Sequence, residues 1–368
     1  MSGVSPDDIR HMRHALRLAE RGLGQVAPNP AVGCVIVAPD GRIVGRGWTQ
    51  AGGRPHAETV ALREAGEAAR GATAYVTLEP CAHHGVTPPC ADALVQAGVR
   101  RVVGAVVDPD PRVAGAGFAR LESAGVNVTR GVLESEARAL NLGFFKGVTE
   151  GRPLVALKIA QSADGYVADV KGNSRWITSE RARSHGHLLR ARHEAILVGM
   201  GTARADDPML TCRLPGLEPR SPLRVVLQTQ LQLSPESQLA RTAKQYKTLV
   251  FTGAKYASDM LTGLGVEIVE VITDGKGHPD VLAVVQALGK RGITRVLVEG
   301  GPTLQTSFLA RGLVDLVHLY RAPLLIGAGG KPAISQVAQW TLDAAPRLRL
   351  IERTVLGPDV LESFALEG

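Results

Sequence analysis

Three residues in the first quarter of the chain have types and spacing that suit a metal centre. His56 stands in the triplet His56-Ala57-Glu58, and Cys81 precedes Cys90 by nine positions. Imidazole and thiolate are ligands that Zn²⁺ prefers, and three of them leave the fourth tetrahedral position open for water. Zinc lowers the pKa of that water to about 7, which makes hydroxide available at neutral pH. We therefore predict a catalytic zinc held by His56, Cys81 and Cys90.

Glu58 has a different predicted role, because it lies two residues after His56 and does not point at the metal in the same way. We predict that Glu58 moves a proton between the attacking water and a substrate nitrogen. A His-x-Glu followed by Pro-Cys and a second Cys is close to the zinc-deaminase pattern. That pattern commonly has two residues between its cysteines, whereas residues 82–89 separate them here.

The long segment between the cysteines leaves an alternative open. His83, His84 or Cys34 would supply a fourth ligand if the site were a closed, structural one. The two histidines fit a pocket wall or an exposed loop equally well. The presence of Pro80, with a predicted strand before it and a helix after it, favours the catalytic site.

The elements around these residues alternate between strand and helix. Ser5 and Pro6 predict a first helix that ends at Gly22, since they suit the N-cap and the first helical position. A hairpin of strands 34–37 and 43–48 follows, and then helices over 57–69 and 90–96 with strands over 74–78 and 102–107. This alternation predicts a layered α/β domain.

A second domain is predicted after the segment Glu150-Gly151-Arg152-Pro153. The length of 368 residues exceeds the roughly 250 to 300 residues that one core serves. Strands are predicted over 154–159, 195–198, 223–227, 248–251 and 295–298, with helices over 179–191, 280–290 and 302–311. The second half is therefore predicted to be another α/β unit.

A candidate phosphate site follows the strand over 295–298. The sequence Glu299-Gly300-Gly301-Pro302 places two glycines where the backbone must approach a ligand closely, and Pro302 starts a helix with free N–H groups. An ordinary strand-to-helix turn is the alternative. Because no Gly-x-Gly-x-x-Gly opens an early helix, a Rossmann dinucleotide site is not expected.

Composition and charge narrow the class of protein. The chain is 45% hydrophobic and 21% charged, with a net charge of +7. Residues 1–150 carry 16 basic and 15 acidic side chains, so most of the positive charge lies in the second half. That charge fits either a site for a phosphorylated ligand or an ordinary solvated surface. Apolar runs fall short of the ~18 residues of a membrane span, and no signal peptide is evident. We expect a soluble cytoplasmic protein that uses its cysteines for metal or catalysis rather than for disulfides.

Several stretches resemble one known family, the bifunctional riboflavin-biosynthesis deaminase/reductases. In the first half these are PNPAVGCV (28–35), HAE (56–58) and TLEPCAHHGVTPPC (77–90). In the second half they are KIAQSADG (158–165), WITS (176–179), ILVGMGTARADDPMLTCR (196–213) and VEGGPTL (298–304). The resemblance spans about residues 6 to 360. It implies the α/β class, with a cytidine-deaminase-like three-layer domain over 1–148 and a dihydrofolate-reductase-like domain over 152–368.

The resemblance also implies roles for individual residues. His56, Cys81 and Cys90 hold zinc, Glu58 is the proton donor, and Asn29 contacts the pyrimidine. NADPH is implied to lie against Ala160, Trp176, Thr202, Asp206, Thr229, Gly301, Pro302, Thr303, Leu304, Gln305, Thr306 and Ser307. The phosphorylated substrate is implied to lie against Ser174, Arg190, Leu210, Arg213 and Glu299. Departures from the family pattern stand at Asp110 (usually Asn), Ala163 (usually Leu) and Gln228-Thr229 (usually Asp-Ser).

Together these inferences predict a bifunctional enzyme. The resemblance implies that the zinc site deaminates a diaminohydroxyphosphoribosylaminopyrimidine and that the NADPH site then reduces the ribosylamino side chain to ribitylamino. Lys158, Asp206 and Glu299 are candidate proton donors for the reduction. The expected partner is a phosphorylated pyrimidine, with neither nucleic acid nor membrane, and we expect a homo-oligomer. One alternative is a nucleic-acid base deaminase with an appended nucleotide-binding domain, but the first half lacks the basic charge that it needs. A non-enzymatic protein is disfavoured because all four zinc-site residues are present.

Overall fold

The computed structural model describes residues 4–82, 88–111, 114–253, 257–335 and 339–367. The chain divides into two compact units, Met1–Gly151 and Arg152–Gly368. Gly151 has a left-handed conformation with φ of 65°, which ends the last helix of the first unit and favours glycine. The predicted ligands His83 and His84 lie outside the described residues.

The first unit contains six α-helices and five strands within the part described. The helices are α1 (Pro6–Ala19), α2 (Ala57–Ala65), α3 (Cys90–Gln96), α4 (Ala116–Ser123), α5 (Glu134–Leu140) and α6 (Leu142–Glu150). The strands are β1 (Gly33–Val37), β2 (Ile43–Trp48), β3 (Thr73–Val76), β4 (Arg101–Gly104) and β5 (Asn127–Arg130). The strands form one sheet in the order β2-β1-β3-β4-β5. Strand β1 is antiparallel to β2 and β3, and β4 is parallel to β3 and β5.

Helices α1 and α2 cover opposite faces of this sheet. A Cβ atom at Gly33 would lie 1.9 Å from the carbonyl oxygen of Ala15 in α1, and one at Gly47 would lie 2.0 Å from that of Ala57 in α2. Gly47 pairs with Cys34, the neighbour of Gly33, so the two glycines face opposite sides. Both helices thus approach the sheet where a side chain is missing. This arrangement confirms the predicted three-layer, cytidine-deaminase-like unit.

The second unit contains a longer set of elements. Its helices are α7 (Glu180–Ala191), α8 (Met200–Asp206), α9 (Gln238–Arg241), α10 (Asp259–Gly263), α11 (Val281–Lys290) and α12 (Pro302–Ala310). Its strands are β6 (Leu154–Ser162), β7 (Tyr166–Ala168), β8 (Ala195–Gly199), β9 (Leu223–Gln228), β10 (Thr248–Thr252), β11 (Val266–Glu270), β12 (Arg295–Val298), β13 (Leu316–Ala322), β14 (Lys331–Pro332), β15 (Arg347–Leu356) and β16 (Asp359–Glu367).

Nine of these strands form one sheet among the described residues. Their order is β11-β10-β9-β8-β12-β6-β13-β16-β15, and the seven from β11 to β13 are parallel. Strand β12 lies between β8 and β6 although it follows β11 in the chain. The connections therefore leave this point of the sheet in both directions, and a crevice for a ligand is expected at the carboxyl ends of these strands. Strands β7 and β14 form a separate pair.

Most sequence-predicted elements are confirmed, with small differences at their ends. The hairpin of β1 and β2 and the helix α3 agree with the prediction. The helix predicted over 57–69 ends earlier, since Gly66 has φ of 52° and the chain continues as a 3₁₀ turn, Gly66–Ala69. The helices α4 to α6 and α8 to α10 and the strands β5, β7, β11 and β13 to β16 were not predicted. In the described part of the chain, no helix is long and apolar enough to span a membrane.

Candidate active sites

The predicted zinc ligands come together in the first unit. His56 is the residue before α2, Cys81 follows β3, and Cys90 is the first residue of α3. His56 Nδ1 lies 3.3 Å from Cys90 Sγ and 3.7 Å from Cys81 Sγ. Tetrahedral ligands with Zn–N of ~2.0 Å and Zn–S of ~2.3 Å stand roughly 3.5 Å apart. The three atoms therefore fit a single zinc ion.

The two thiols differ in their readiness to lose a proton. Hydrogen bonding from the Cys90 thiol lowers the pKa of Cys81 to about 4, although burial acts in the other direction. The backbone N–H of Cys90 also donates to Cys81 Sγ at 3.3 Å. The contact with Cys81, together with burial, raises the pKa of Cys90. Both cysteines bind zinc as thiolates, so metal binding would release protons from this pair.

The metal cluster has an open side as far as the structure is described. The ligand atoms of His56, Cys81 and Cys90 all lie within 4.8 Å of one another. No other His, Cys, Asp or Glu among the described residues belongs to this cluster. Cys34, considered above as a fourth ligand, is a buried residue of β1 outside this cluster. Of the three candidate fourth ligands, Cys34 is therefore excluded, whereas His83 and His84 lie outside the described residues.

Glu58 lies in the first turn of α2, beside the cluster. Its side chain lines a cavity together with His56 and Cys81, and the residue is 3% exposed. Burial raises the pKa of Glu58 to about 7, because the charged carboxylate loses water there. A carboxyl group with that pKa can take up and release a proton near neutral pH.

The cavity that His56, Glu58 and Cys81 line has a volume of about 130 Å³. Asn29, the predicted pyrimidine contact, is part of its wall, and a Cβ atom at Gly53 would lie 1.9 Å from the Asn29 amide nitrogen. Gly53, with φ of 82°, thus gives the Asn29 side chain its space. Other wall residues were not predicted, and they include Thr49, Arg54, Glu79, Asp108 and Phe144. Asp110, one of the departures from the family pattern, also lines this cavity.

A second cavity lies in the second unit, at the carboxyl ends of β6, β8 and β12. Its volume is about 420 Å³. The predicted residues in its wall are Ala160, Ser174, Thr202, Asp206, Glu299, Gly301, Pro302, Thr303, Leu304 and Gln305. Gly301 is the N-cap of α12, and the Gln305 side chain donates to the Lys158 carbonyl oxygen at 2.9 Å. The expected crevice is therefore present and contains the glycine-rich turn.

Some predicted cofactor residues lie away from this cavity wall. Trp176 is 66% exposed, with the Arg183 guanidinium 4.5 Å from its ring centre. Thr229 is exposed in the loop after β9. The buried hydroxyl of Thr306 accepts from the backbone of Ser335, and that of Ser307 donates to the backbone of α12. Of the departures, Ala163 is exposed and the buried Gln228 accepts from the backbone of Gln232.

Arg190 and Glu299 form a buried ion pair beside the second cavity. Arg190 Nε and Nη2 donate to the two Glu299 oxygens at 2.8 and 2.9 Å, and Nη1 donates to the Thr211 carbonyl oxygen at 3.0 Å. The Arg190 guanidinium, which we expected to bind a substrate phosphate through two N–H groups, thus binds Glu299 instead. Burial opposes the charge of Glu299, but Arg190 and Lys158 outweigh it and lower the pKa of Glu299 to about 2.

The other predicted substrate residues and two lysines complete this region. Leu210 is buried with φ of 54°, whereas Arg213 is exposed. Neither Arg190, Leu210 nor Arg213 is in the wall of the cavity, all three being described. Lys158 and Lys331 are in the wall, and Lys331 was missed because β14 carries no clear sequence pattern.

Comparisons with known proteins agree with this division into two sites. The model of the RibD C-terminal domain matches residues 153–361, and that of the cytidine and deoxycytidylate deaminase zinc-binding region matches residues 5–106. The riboflavin biosynthesis protein RibD of Escherichia coli (strain K12) is 44% identical, over 96% of this chain and 98% of its own. RibD of Bacillus amyloliquefaciens is 43% identical, over 95% and 94%.

Solved structures are similar over the same length. Acinetobacter baumannii RibD, form 1, has a TM-score of 0.86 with 38% identity and covers 98% of this chain and 99% of its own. A diaminohydroxyphosphoribosylaminopyrimidine deaminase/5-amino-6-(5-phosphoribosylamino)uracil reductase from Thermotoga maritima has the same TM-score with 35% identity, over 98% and 99%.

Proposed function

This chain belongs to the RibD family, the zinc- and NADPH-dependent bifunctional deaminase/reductases of riboflavin biosynthesis, and on that premise we propose which of its residues carry out each reaction. Residues 1–148 form the deaminase and residues 152–368 the reductase. The observation that carries the proposal is the convergence of His56, Cys81 and Cys90 beside the buried carboxyl group of Glu58. A nucleic-acid base deaminase is not favoured by this family membership.

In the deaminase, His56, Cys81 and Cys90 hold the zinc, which when bound supplies an activated water. Glu58 would accept a proton from the attacking water, whose oxygen bonds to the ring carbon that carries the amine. Glu58 would then give this proton to the departing nitrogen, so that the carbon–nitrogen bond breaks and ammonia leaves. The second proton of the water passes from the new hydroxyl group to the neighbouring ring nitrogen, which leaves a carbonyl on the ring. The pKa of Glu58, about 7, suits both of its steps. Asn29 holds the pyrimidine from the cavity wall.

In the reductase, NADPH supplies the hydride and the chain positions it. We place the cofactor along the turn of Gly301 and the first residues of α12, against Ala160, Thr202 and Asp206, where the backbone N–H groups suit its phosphates. Thr303 to Ser307, Trp176 and Thr229 complete the proposed cofactor set. Trp176 and Thr229 are exposed, and contact with NADPH would cover them.

We place the phosphorylated substrate against Ser174 and Glu299, with Leu210 and Arg213 on the loop that follows α8. Arg190 holds Glu299 in its charged form, which leaves the exposed guanidinium of Arg213 for the substrate phosphate. Glu299, with a pKa of about 2, does not hold a proton to donate. Lys158 lines the cavity and burial lowers its pKa, so we assign it the proton that the sugar oxygen takes when the ring opens.

Separating the two halves tests this assignment of domains and residues. A shortened protein that ends at Gly147 should bind zinc and release ammonia from the diaminopyrimidine. One that begins at Gly151 should oxidise NADPH when given the deaminated pyrimidine. Ammonia release by the second piece, or NADPH oxidation by the first, would contradict the assignment.

We further propose that the protein is a cytoplasmic homo-oligomer that pairs along β15. This strand lies at one edge of the sheet among the described strands, where its outer backbone groups are available for pairing. Leu348, Leu350, Ile351 and Val355 are 44, 50, 52 and 73% exposed. These exposed apolar side chains on an unpaired strand edge suit a second copy of the chain. Leu350→Lys should therefore lower the molecular mass of the assembly measured by sedimentation, and an unchanged mass would refute pairing along β15.

The cytoplasmic location is tested by cell fractionation, in which the protein should appear in the cytoplasmic fraction.

A further inference from the structure

Glu79 is a buried carboxylate next to the zinc site to which the mechanism above gives no role. It precedes Pro80-Cys81 and is 3% exposed. Its Oε2 accepts the backbone N–H groups of Asp108 at 3.2 Å and Gly115 at 2.9 Å. Its Oε1 accepts those of Gly117 at 2.8 Å and Phe118 at 3.2 Å. Burying a charge is costly, and these four donors offset that cost.

The segment held by Glu79 carries part of the cavity wall. Asp108 and Asp110 both line the deaminase cavity, as does Glu79 itself. The Asp108 side chain accepts the backbone N–H of Asp110 at 2.8 Å, so the contact with Glu79 extends to Asp110. In addition, the Glu79 N–H donates to the carbonyl oxygen of Val106 at 2.9 Å. Glu79 thus holds two described segments, residues 106–111 and the start of α4 with the residue before it.

A second contact holds the start of α4. A Cβ atom at Gly117 would lie 1.9 Å from the carbonyl oxygen of Pro80 and 3.1 Å from the Glu79 side chain. The start of α4 therefore rests directly on the backbone that leads into Cys81. Any larger residue at 117 must therefore shift the start of α4 relative to Glu79 and Pro80.

We propose that Glu79 is a positioning residue for deamination, which acts by holding Asp108 and Asp110 in the wall that receives the pyrimidine. The proposal rests on the assignment of deamination to this cavity. Glu79 neither binds zinc nor moves a proton. Its removal should therefore weaken substrate binding while the zinc and Glu58 continue to act on the substrate that does bind.

The test compares full-length, zinc-loaded Glu79→Gln with the unchanged enzyme. An amide replaces one oxygen by an NH₂ group, so two of the four N–H groups lose their acceptor. We expect KM for the pyrimidine to rise about tenfold or more, the scale of losing a hydrogen bond to a charged group, with kcat within about threefold. Zinc content and NADPH oxidation should stay unchanged. Glu79→Asp, which keeps the charge, should recover part of the KM.

Two further variants make the result specific. Gly117→Ala displaces the start of α4 with the carboxylate intact and should raise KM in the same way. Glu122→Gln makes the same chemical change in α4 at an exposed residue paired with Arg130, and should leave both constants unchanged.

The possible outcomes separate the positioning role from its rivals. Loss of zinc, or a lower kcat at unchanged KM, would assign Glu79 to the stability of the metal site and overturn the proposal. Unchanged constants in both Glu79→Gln and Gly117→Ala would overturn it as well. A separate measurement tests the assignment of deamination to this cavity. A Glu58 variant that deaminates at the normal rate would show that this assignment is wrong, whatever the Glu79 variants do.

Discussion

Replacing Glu58 with glutamine is expected to remove most of the deaminase activity and to leave the zinc in place. Glu58 is not one of the three clustered ligands, and the amide has nearly the shape of the buried carboxyl group. Because burial raises its pKa to about 7, the native group exchanges protons near neutral pH. The amide does not, so the proton of the attacking water loses its route to the leaving nitrogen.

The size of the effect follows from this proton transfer. A positioned acid–base group contributes about 10²- to 10⁴-fold in rate. At about 1.4 kcal/mol for each factor of ten, this is roughly 3 to 5 kcal/mol of barrier. We expect kcat for ammonia release to fall by that factor, about 10²- to 10⁴-fold, while KM changes by less than about threefold, since the cavity wall is intact.

The assay follows ammonia release and measures zinc in the same preparation. Glu64→Gln is the matched control, because Glu64 is in the same helix but pairs with Arg46 at the surface, at 3.0 Å. That control should keep its rate. If zinc-loaded Glu58→Gln retained a tenth of the rate or more, the proposed proton route would be refuted.

Three other outcomes are expected. Arg213→Ala should weaken the binding of the phosphorylated substrate much more than that of NADPH in separate titrations, and the reverse result would place the cofactor at this loop. Arg224 is fully buried and donates to three backbone carbonyl oxygens and two threonine hydroxyls, so Arg224→Met should destabilise the second unit by about 3 kcal/mol or more in urea unfolding; an unchanged midpoint would contradict this. Burial lowers the pKa of His318 to about 4, below the ~6.5 of the unfolded chain, so stability is complete above pH ~6.5 and is lost as pH falls towards 4. His318→Gln should flatten that loss in unfolding measured across this pH range, and an equally steep loss would exclude His318 as its source.

The zinc site could be predicted from sequence because each ligand has a distinctive residue type and two of the three stand at the start of a helix. His56 directly precedes a helix and Cys90 begins one, so their local positions could be inferred from the turn and cap residues around them. The carboxyl group of Glu79 was missed, since its four donors come from residues 29 to 39 positions later in the chain. No local pattern indicates such a contact.

The reductase site was less predictable for the same physical reason. The ion pair of Arg190 and Glu299 joins residues that are 109 positions apart in the chain. It occupies the two guanidinium N–H groups that we expected to bind a substrate phosphate. The strand order was also beyond the sequence, because the place of β12 between β8 and β6 depends on packing of the whole sheet. Strand β15 was not predicted for two reasons. Most of its residues are exposed, and its apolar and polar residues do not alternate regularly along the strand.

We expect the two activities of this chain to differ in their need for zinc, because the zinc ligands all lie in the first unit. The most direct test treats the full-length protein with a zinc chelator and follows two reactions. Ammonia release from the diaminopyrimidine should stop and should return when zinc is added back, whereas NADPH oxidation with the deaminated pyrimidine should continue at its original rate. Deamination that survives complete removal of zinc, or NADPH oxidation that is lost with it, would show that the two activities are not divided in this way.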